Sequence, residues 1–168
     1  EGLIKALDLA AKYDRKLVVE ENVVGREIEL SVLGNDEPQV SVPGEIVPCN
    51  EFYDYEAKYL ADDSELIIPA DLPERIVAEL QRLAGEVFKA VDCAGMARVD
   101  FFVGRDNEQI WINEINTIPG FTRISMYPKL WEASGLTYSK LLDRLIELAL
   151  ERHRENSQKL YAYDEGAV

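Results

Sequence analysis

The segment that most restricts how this chain can fold is ARVDFFVGRDNEQIWINEIN, residues 97–116. Two runs rich in β-branched and aromatic residues, Met96 to Val103 and Gln109 to Asn116, flank a short GRDNE turn, a pattern that predicts an antiparallel hairpin. Side chains alternate across a strand, so Arg98 and Asp100 share one face and the apolar residues beside them point to the other. The hairpin therefore has one apolar face and one face that carries charge.

The register of this hairpin decides which polar side chains meet. If Val103 pairs with Gln109, Arg98 lies opposite Glu114, and Asp100 becomes a diagonal neighbour of Glu114 at roughly 7 Å. Hard cations such as Mg²⁺ prefer carboxylate and carbonyl oxygens as ligands. The pattern predicts a site for one or two divalent cations.

The polar face extends beyond the two carboxylates. Asn116 adds a neutral carbonyl beside Glu114, and Arg98 lies where it can contact a transferring phosphoryl group. The alternative is a solvated face on which Arg98 and Glu114 form an ordinary cross-strand ion pair. In the predicted register Ile112 lies opposite Asp100 and shares its face, which favours a cleft wall, and Gly120 in the Pro-Gly turn of NTIPGF can present a bare backbone N–H to an oxyanion.

The rest of the chain alternates between helical and strand patterns. The clearest helix, DLPERIVAELQRLAGEVFKAV, opens with the capping-box spacing of Asp71 and Glu74. Residues 48–64 have no clear period and predict a long, ordered loop. The predicted fold is α+β, a mostly antiparallel sheet with flanking helices. The predicted helices cover residues 2–13, 71–91 and 138–152, and the predicted strands cover LVVEENV at 17–23, REIELSVLG at 26–34, residues 39–47, ELIIP at 65–69 and the hairpin.

The composition limits the classes of partner. The formal net charge of −14 argues against nucleic-acid binding, because no basic surface replaces the counterions of phosphates; an anionic nucleotide would need cations to bind here. Cys49 and Cys93 form no metal-ligand or CxxC pattern, which favours free thiols in a reducing compartment. No signal peptide and no long apolar span is evident, so we expect a soluble, cytoplasmic protein without a membrane partner.

Three motifs, ARVDFF, INEINTIPGFTRISMYP and FYDYEAKY, together resemble the carboxyl-terminal part of the D-alanine:D-alanine ligases, an ATP-grasp family of peptidoglycan precursor synthesis. The resemblance runs from Leu3 to Arg152. It implies an ATP-grasp carboxyl-terminal subdomain at residues 24–153, preceded by a remnant of the middle subdomain at 1–23 and followed by a polar tail at 154–168. It also implies a homodimeric parent enzyme whose amino-terminal part is missing here.

The resemblance assigns nucleotide-binding roles to five residues. Glu20, Glu21 and Val23 would surround the adenine, with Glu21 and Val23 acting through their backbone, and Glu27 would hold the ribose hydroxyls. Lys58 would reach the ATP phosphates. The structural alternatives are a strand end capped by Glu20 and Glu21 and a solvated lysine at position 58.

The resemblance also assigns the metal ligands and the catalytic groups. Asp100, Glu114 and Asn116 would bind two Mg²⁺ ions, for which Mn²⁺ can substitute, with Glu114 bridging them. Arg98 and the Gly120 amide would stabilise the acyl phosphate and the tetrahedral species that follows it.

The loop after Gly120 receives a substrate-binding role by the same resemblance. The Ser125 hydroxyl and the backbone around Met126 would hold the carboxylate of the second D-alanine; the alternative is Ser125 as a plain N-cap. Tyr59 would close over the site and exclude water.

The function implied is ATP-dependent ligation of two D-alanines through an acyl phosphate. Because the glycine-rich phosphate loop and the first substrate's ammonium site of the family are not in this sequence, we expect little or no ligase activity from this chain alone. Two alternatives stay open: another ATP-grasp carboxylate–amine ligase, and a folded fragment that binds nothing tightly.

Overall fold

The computed structural model describes residues 2–47 and 65–159. The segment with Lys58 and Tyr59 and the carboxyl-terminal residues 160–168 lie outside this described part, so both predicted loop residues remain predictions. The elements in chain order are α1 (Gly2–Ala10), β1 (Arg26–Gly34), β2 (Gln39–Val40), β3 (Gly44–Val47), β4 (Glu65–Ile67), α2 (Glu74–Ala90), β5 (Gly95–Val103), β6 (Ile110–Asn116), α3 (Met126–Ala133) and α4 (Tyr138–Ser157).

The strands form one six-stranded sheet in the order β4-β3-β1-β5-β6, with β2 also pairing with β1. Every pairing is antiparallel. The longest ladder joins β1 to β5, from Arg26 opposite Val103 to Gly34 opposite Gly95. The predicted α+β architecture is confirmed, and the segment predicted as one returning strand at 39–47 is divided between β2 and β3.

One face of the sheet packs against α2. Ile28, Leu30 and Val32 alternate along β1 and are fully buried with the apolar residues of β5. Helix α2 supplies its own buried row at a spacing of four residues, the period that places side chains on one helical face: Ile76, Leu80, Ala84 and Phe88.

Within the described residues, helices cover the opposite face at one end. Helices α3 and α4 pack over Leu33 there, through Tyr127, Trp131 and other buried apolar residues. The Tyr127 hydroxyl donates to the Val32 carbonyl at 3.0 Å, and the Ser31 hydroxyl donates to the Tyr127 carbonyl at 3.1 Å. The remainder of this face, toward the start of β1, carries Glu27 and Glu29 on β1 and Phe102 beside them on β5.

The prediction of a buried strand at LVVEENV is wrong. Residues 17–24 have no strand pairing in the described part of the chain, and Val18 and Val19 are 71% and 68% exposed. β-Branched residues favour a strand only when a neighbouring strand accepts their backbone and packs on their side chains.

Predicted helix ends also differ from the structure. Helix α1 ends at Ala10, three residues before the predicted end at residue 13. The capping box of Asp71 and Glu74 does not form: Pro73 is the N-cap of α2, without a side-chain hydrogen bond to the cap. The Asp71 carbonyl instead accepts a hydrogen bond from Arg26 Nη1 at 2.8 Å, which ties the chain before α2 to the sheet. Helix α4 continues past the predicted end at Arg152 to Ser157.

None of the helices that the structure describes is both long and apolar enough to cross a bilayer.

Candidate functional site

The register of the β5–β6 hairpin differs from the predicted one. Phe101 pairs with Ile112, and the next pair is Asp100 with Glu114, so a bulge at Asn113 separates them. Val103 pairs with Ile110 and not with Gln109, which is one residue away from the predicted register, and the bulge adds a second shift. Asp100 therefore lies directly opposite Glu114 and is not its diagonal neighbour. The prediction that Ile112 lies opposite Asp100 is therefore wrong.

The same shift moves Arg98, which was predicted to lie opposite Glu114. It pairs with Asn116, and the alternative of an Arg98–Glu114 cross-strand pair does not form in this register. Asp100, Glu114, Arg98 and Asn116 consequently occupy two successive same-face pairs of the ladder. The bulge brings the predicted metal ligands closer to one another than the regular register would.

Arg98 holds Asp100 by a two-point contact within the same strand. Its Nε donates to Asp100 Oδ1 and its Nη2 donates to Asp100 Oδ2, each at 2.7 Å. Arg98 Nε also lies 3.2 Å from Oε2 of Glu29, the residue that pairs with Asp100 from β1. The guanidinium of Arg98 thus forms ion pairs with two carboxylates.

This ion-pair cluster is buried. Glu29 and Asp100 are each 3% exposed. Burial by itself lowers the pKa of Arg98, but the hydrogen bonds that it donates to Asp100 and the negative charges of Glu29, Asp100 and Glu114 outweigh burial, so the pKa is raised. Arg98 therefore remains a cation at every pH at which the protein is folded.

Glu29 was not predicted as a site residue. The alternation of REIELSVLG places it on a polar face, but a pattern of alternation does not tell a solvated face from a buried one. The sequence therefore held no signal for it, and the residue is recognised only from the structure, in which β1 lies between β3 and β5.

The donor set at this site fits a hard divalent cation. Asp100 and Glu114 are neighbouring carboxylates, and Asn116 adds a side-chain amide, a combination of oxygens that Mg²⁺ accepts together with substrate phosphates. Asn116 Oδ1 accepts a hydrogen bond from the Ile118 amide at 3.1 Å, which fixes the side chain at the strand end. Within residues 2–47 and 65–159, no three His, Cys, Asp or Glu side chains already converge into a metal cage.

A cleft of about 710 Å³ opens next to this site. Its walls include Glu20, Glu21, Val23 and Glu27, the four described residues that the resemblance assigned to the nucleotide. Glu27 pairs with Phe102 one same-face step along the ladder from Glu29 and Asp100. The cleft therefore lies next to the acidic cluster on the same face of the sheet.

Several cleft residues were missed by the sequence analysis. Phe102 pairs with Trp111 across the hairpin, and both line the cleft. Arg26 on β1 donates to Glu45 on β3 through its Nε at 2.9 Å and its Nη2 at 2.6 Å. This pair fixes the side chains that line another part of the cleft. Only the tertiary pairing of distant strands brings these residues together.

The loop from β6 to α3 places Gly120 beside Ser125. A Cβ at Gly120 would lie 3.0 Å from Ser125 Oγ. Ser125 is the N-cap of α3, yet its side chain does not cap the helix; it accepts from the Thr122 amide at 3.0 Å and lies 2.8 Å from Thr122 Oγ1. The amides at the start of α3, near the buried Met126, are therefore not used by a side-chain cap.

Comparisons with known proteins agree with the resemblance. A family profile described as the D-ala D-ala ligase C-terminus matches residues 1–147. A D-alanine–D-alanine ligase of Natranaerobius thermophilus is 55% identical over 165 residues, covering 98% of this chain and 45% of the relative. One from Ruminiclostridium cellulolyticum is 56% identical over 161 residues, covering 95% of this chain and 43% of the relative. The chain thus spans less than half the length of these relatives.

Solved structures share the fold. The D-alanine-D-alanine ligase from Coxiella burnetii has a TM-score of 0.82 at 48% identity, covering 93% of this chain and 40% of that one. The VanG D-Ala:D-Ser ligase from Enterococcus faecalis has a TM-score of 0.78 at 39% identity, covering 87% and 42%. The Bacillus anthracis ligase complexed with ATP has a TM-score of 0.76 at 32% identity, covering 92% and 49%. With its antiparallel sheet, its acidic hairpin and these relatives, the chain belongs to the D-alanine–D-alanine ligase family and corresponds to the carboxyl-terminal part of its members.

Proposed function

We propose that this chain supplies the metal-binding and much of the nucleotide-binding half of an ATP-dependent D-alanine–D-alanine ligase. The observation that carries the proposal is the pairing of Asp100 with Glu114 and of Arg98 with Asn116 on one face, next to a cleft lined by Glu27. The guanidinium of Arg98, two carboxylates and a side-chain amide lie beside a nucleotide-sized cleft, and phosphoryl transfer requires groups of these kinds.

The reaction has two steps. The γ-phosphoryl group of ATP moves to the carboxylate of the first D-alanine, and the amino group of the second D-alanine then displaces phosphate from the acyl phosphate. Arg98 and the Gly120 amide stabilise the negative charge that develops on the oxygens. The products are the dipeptide, ADP and phosphate.

Asp100, Glu114 and Asn116 hold Mg²⁺ or Mn²⁺ in this proposal. The ions supply positive charge that allows an anionic nucleotide to bind a chain with a net charge of −14. The side-chain oxygens of these three residues would hold the ions, and the paired strands fix the backbone positions of the three residues.

The nucleotide and the second substrate occupy the cleft and the loop. Glu20 and the backbone from Glu21 to Val23 bind the base, and Glu27 binds the ribose hydroxyls. The Ser125 hydroxyl and the amides near Met126 hold the carboxylate of the second D-alanine. In this proposal Lys58 contacts the ATP phosphates, and Tyr59 closes over the site.

The rest of the ligase lies outside this chain. The proposal places a glycine-rich phosphate loop and the ammonium site of the first D-alanine on the amino-terminal part that the relatives have in addition. The whole enzyme acts as a cytoplasmic homodimer that supplies peptidoglycan precursors. This chain alone then binds Mg²⁺ and nucleotide weakly and ligates little or nothing.

A second candidate function is ligation of a different second amino acid. It is favoured by the structural similarity to the VanG D-Ala:D-Ser ligase of Enterococcus faecalis, at 39% identity. The intact protein with D-alanine as the first substrate, offered D-alanine and D-serine as the second, separates the candidates by the dipeptide formed.

Titration calorimetry of the chain with Mg²⁺-ADP tests the proposed half-site. We expect saturable heat that is lost in Asp100→Asn and Glu114→Gln, and unchanged in Glu79→Gln on the outer side of α2. Absence of heat with the wild-type chain would favour a folded fragment that binds nothing tightly. ADP release with D-alanine at the rate of an intact ligase would show that the predicted inactivity is wrong.

A further inference from the structure

The buried cluster of Arg98, Asp100 and Glu29 contains one positive charge and two negative charges. The guanidinium makes its short contacts with Asp100 and a longer one, 3.2 Å from Nε, with Glu29. The side chains of Glu29 and Asp100 are each 4% exposed, and that of Arg98 is 16% exposed. Because little of each side chain is exposed, water screens the attraction and repulsion among the three charges only weakly.

A divalent ion at Asp100 would weaken the ion pair between Asp100 and Arg98. It competes for the same carboxylate oxygens that accept from Arg98, and its charge repels the guanidinium. Arg98 must then take another anionic partner or leave the face on which its proposed role depends, because a buried, unpaired cation is costly.

Glu29 is the partner that the fold provides. It pairs directly with Asp100 in the β1–β5 ladder and with Gly44 of β3 on its other side, so its backbone lies between two paired strands. Its carboxylate already lies at salt-bridge distance from Arg98 Nε. A small rotation of the guanidinium is enough to exchange one carboxylate for the other.

We propose that Glu29 is a positioning residue that keeps Arg98 on the reactive face when Asp100 is drawn to a divalent ion. Arg98 is the counter-ion of Asp100 in the ion-free protein and becomes the partner of Glu29 in the ion-bound protein. The inference rests on the proposed function in one respect, that Asp100 is a metal ligand.

The first test needs no metal. Asp100→Asn removes the charge of Asp100 with little change of shape and thereby imitates its withdrawal. In ¹⁵N NMR spectra we expect the Arg98 Nε–H resonance to stay resolved and slowly exchanging in Asp100→Asn, and to be lost in Asp100→Asn/Glu29→Gln. Loss in the single variant, or no further change in the double variant, would overturn the inference. If Asp100→Asn does not fold, the same resonance followed in the wild-type chain during Mg²⁺ titration gives the same information.

The second test is a double-mutant cycle with Mn²⁺ as the probe, measured by calorimetry. Glu29→Gln leaves Arg98 with Asp100 as its carboxylate partner in this cluster, so we expect Mn²⁺ affinity to fall by about tenfold, the scale of one hydrogen bond to a charged group. In an Arg98→Lys background, which keeps the charge but not the two-point contact, the effect of Glu29→Gln should be much smaller. Equal losses in both backgrounds would mean that Glu29 acts only by its charge, and the inference would fail.

The conservative variant Glu29→Asp separates positioning from stability. Aspartate keeps the charge but is shorter by one methylene, so the folded chain should remain intact while the Arg98 Nε–H exchanges faster. The two failures are distinguishable: a wild-type chain that binds no Mn²⁺ loses the proposed metal site, whereas the metal-free NMR test judges the Arg98–Glu29 contact independently.

Discussion

Arg98 and Asp100 lie on the same strand with one residue between them, and the guanidinium of Arg98 donates to both carboxylate oxygens of Asp100 at 2.7 Å. Neighbouring same-face side chains on a strand point in parallel, so a long, forked arginine can lie along the strand and reach the shorter aspartate. The contact compensates two buried acids, because Glu29 lies across the ladder from Asp100.

The first prediction is that Arg98→Ala strongly destabilises the chain. Removing the guanidinium leaves two buried carboxylates uncompensated, and breaking such a pair typically costs about 3–5 kcal/mol. Urea unfolding followed by circular dichroism measures the loss. The matched control is Arg82→Ala, which removes an exposed arginine that bonds Glu79 and Glu86 on α2 and should change stability little. Equal losses in both variants would contradict the assignment of a buried cluster.

The second prediction concerns the packing between β3 and α3. A Cβ at Gly44 would lie 2.8 Å from Leu130 Cδ2 and 3.1 Å from Met126 Sδ, so Gly44→Ala forces these buried side chains of α3 to shift. We expect a loss of about 1–3 kcal/mol, the usual range for overpacking, measured by thermal unfolding.

Gly85→Ala is the control for this substitution. The same atom at Gly85 in α2 would have its nearest neighbour, Val40 Cγ2, at 3.9 Å. Alanine is a better helix former than glycine, so this variant should gain about 0.5–1 kcal/mol. A destabilised Gly85→Ala, or an unaffected Gly44→Ala, would show that the packing around these positions differs from that described.

The secondary structure that formed as predicted is the part that local pattern determines. Ile76 and Leu80 recur at helical spacing in a segment long enough for a helix, and Ile28, Leu30 and Val32 alternate in a run long enough for a strand. In both cases the apolar period and the length of the element agree, so no knowledge of the neighbouring elements was needed.

The features that escaped prediction depend on neighbours. The bulge at Asn113 and the pairing of Val103 with Ile110 are set by how two strands fit together, and the two shifts together place Glu114 opposite Asp100. Glu29 has the same local pattern as a solvated residue, and its burial follows from the strands on both sides. LVVEENV has strand composition and no strand partner within the described residues, which shows that composition alone does not make a strand.

The third prediction is a loss of stability at alkaline pH that depends on Tyr127. Burial is the main reason that the pKa of Tyr127 is raised above its ordinary value. A folded pKa above the unfolded one means that the contribution is fully present below the unfolded pKa of about 10 and is lost as the pH rises from there toward the folded pKa. Urea unfolding at pH 8 and at pH 11 should show a smaller decrease in Tyr127→Phe than in the wild type.

At pH 8 the same variant has a separate effect. It loses the hydrogen bond to the Val32 carbonyl, and we expect a cost of about 0.5–1.5 kcal/mol. A Tyr127→Phe chain whose stability decreases with pH as steeply as that of the wild type would assign the alkaline transition to another group.

The last prediction concerns the loop that carries Gly120. The Ser125 hydroxyl accepts from the Thr122 amide at 3.0 Å, and this bond closes the turn that holds the loop against the start of α3. Ser125→Ala should therefore increase the hydrogen-exchange rate of the Thr122 amide by about tenfold, while the global free energy of unfolding changes little because the turn is exposed.

The control is Thr122→Val, which keeps the backbone amide and the Ser125 acceptor and removes only the contact between the two hydroxyls. Fast exchange at position 122 in Ser125→Ala and slow exchange in Thr122→Val would assign the closure of the loop to the Ser125 hydroxyl, whereas slow exchange in both would assign it to the backbone bond from the Ser125 amide to the Thr122 carbonyl.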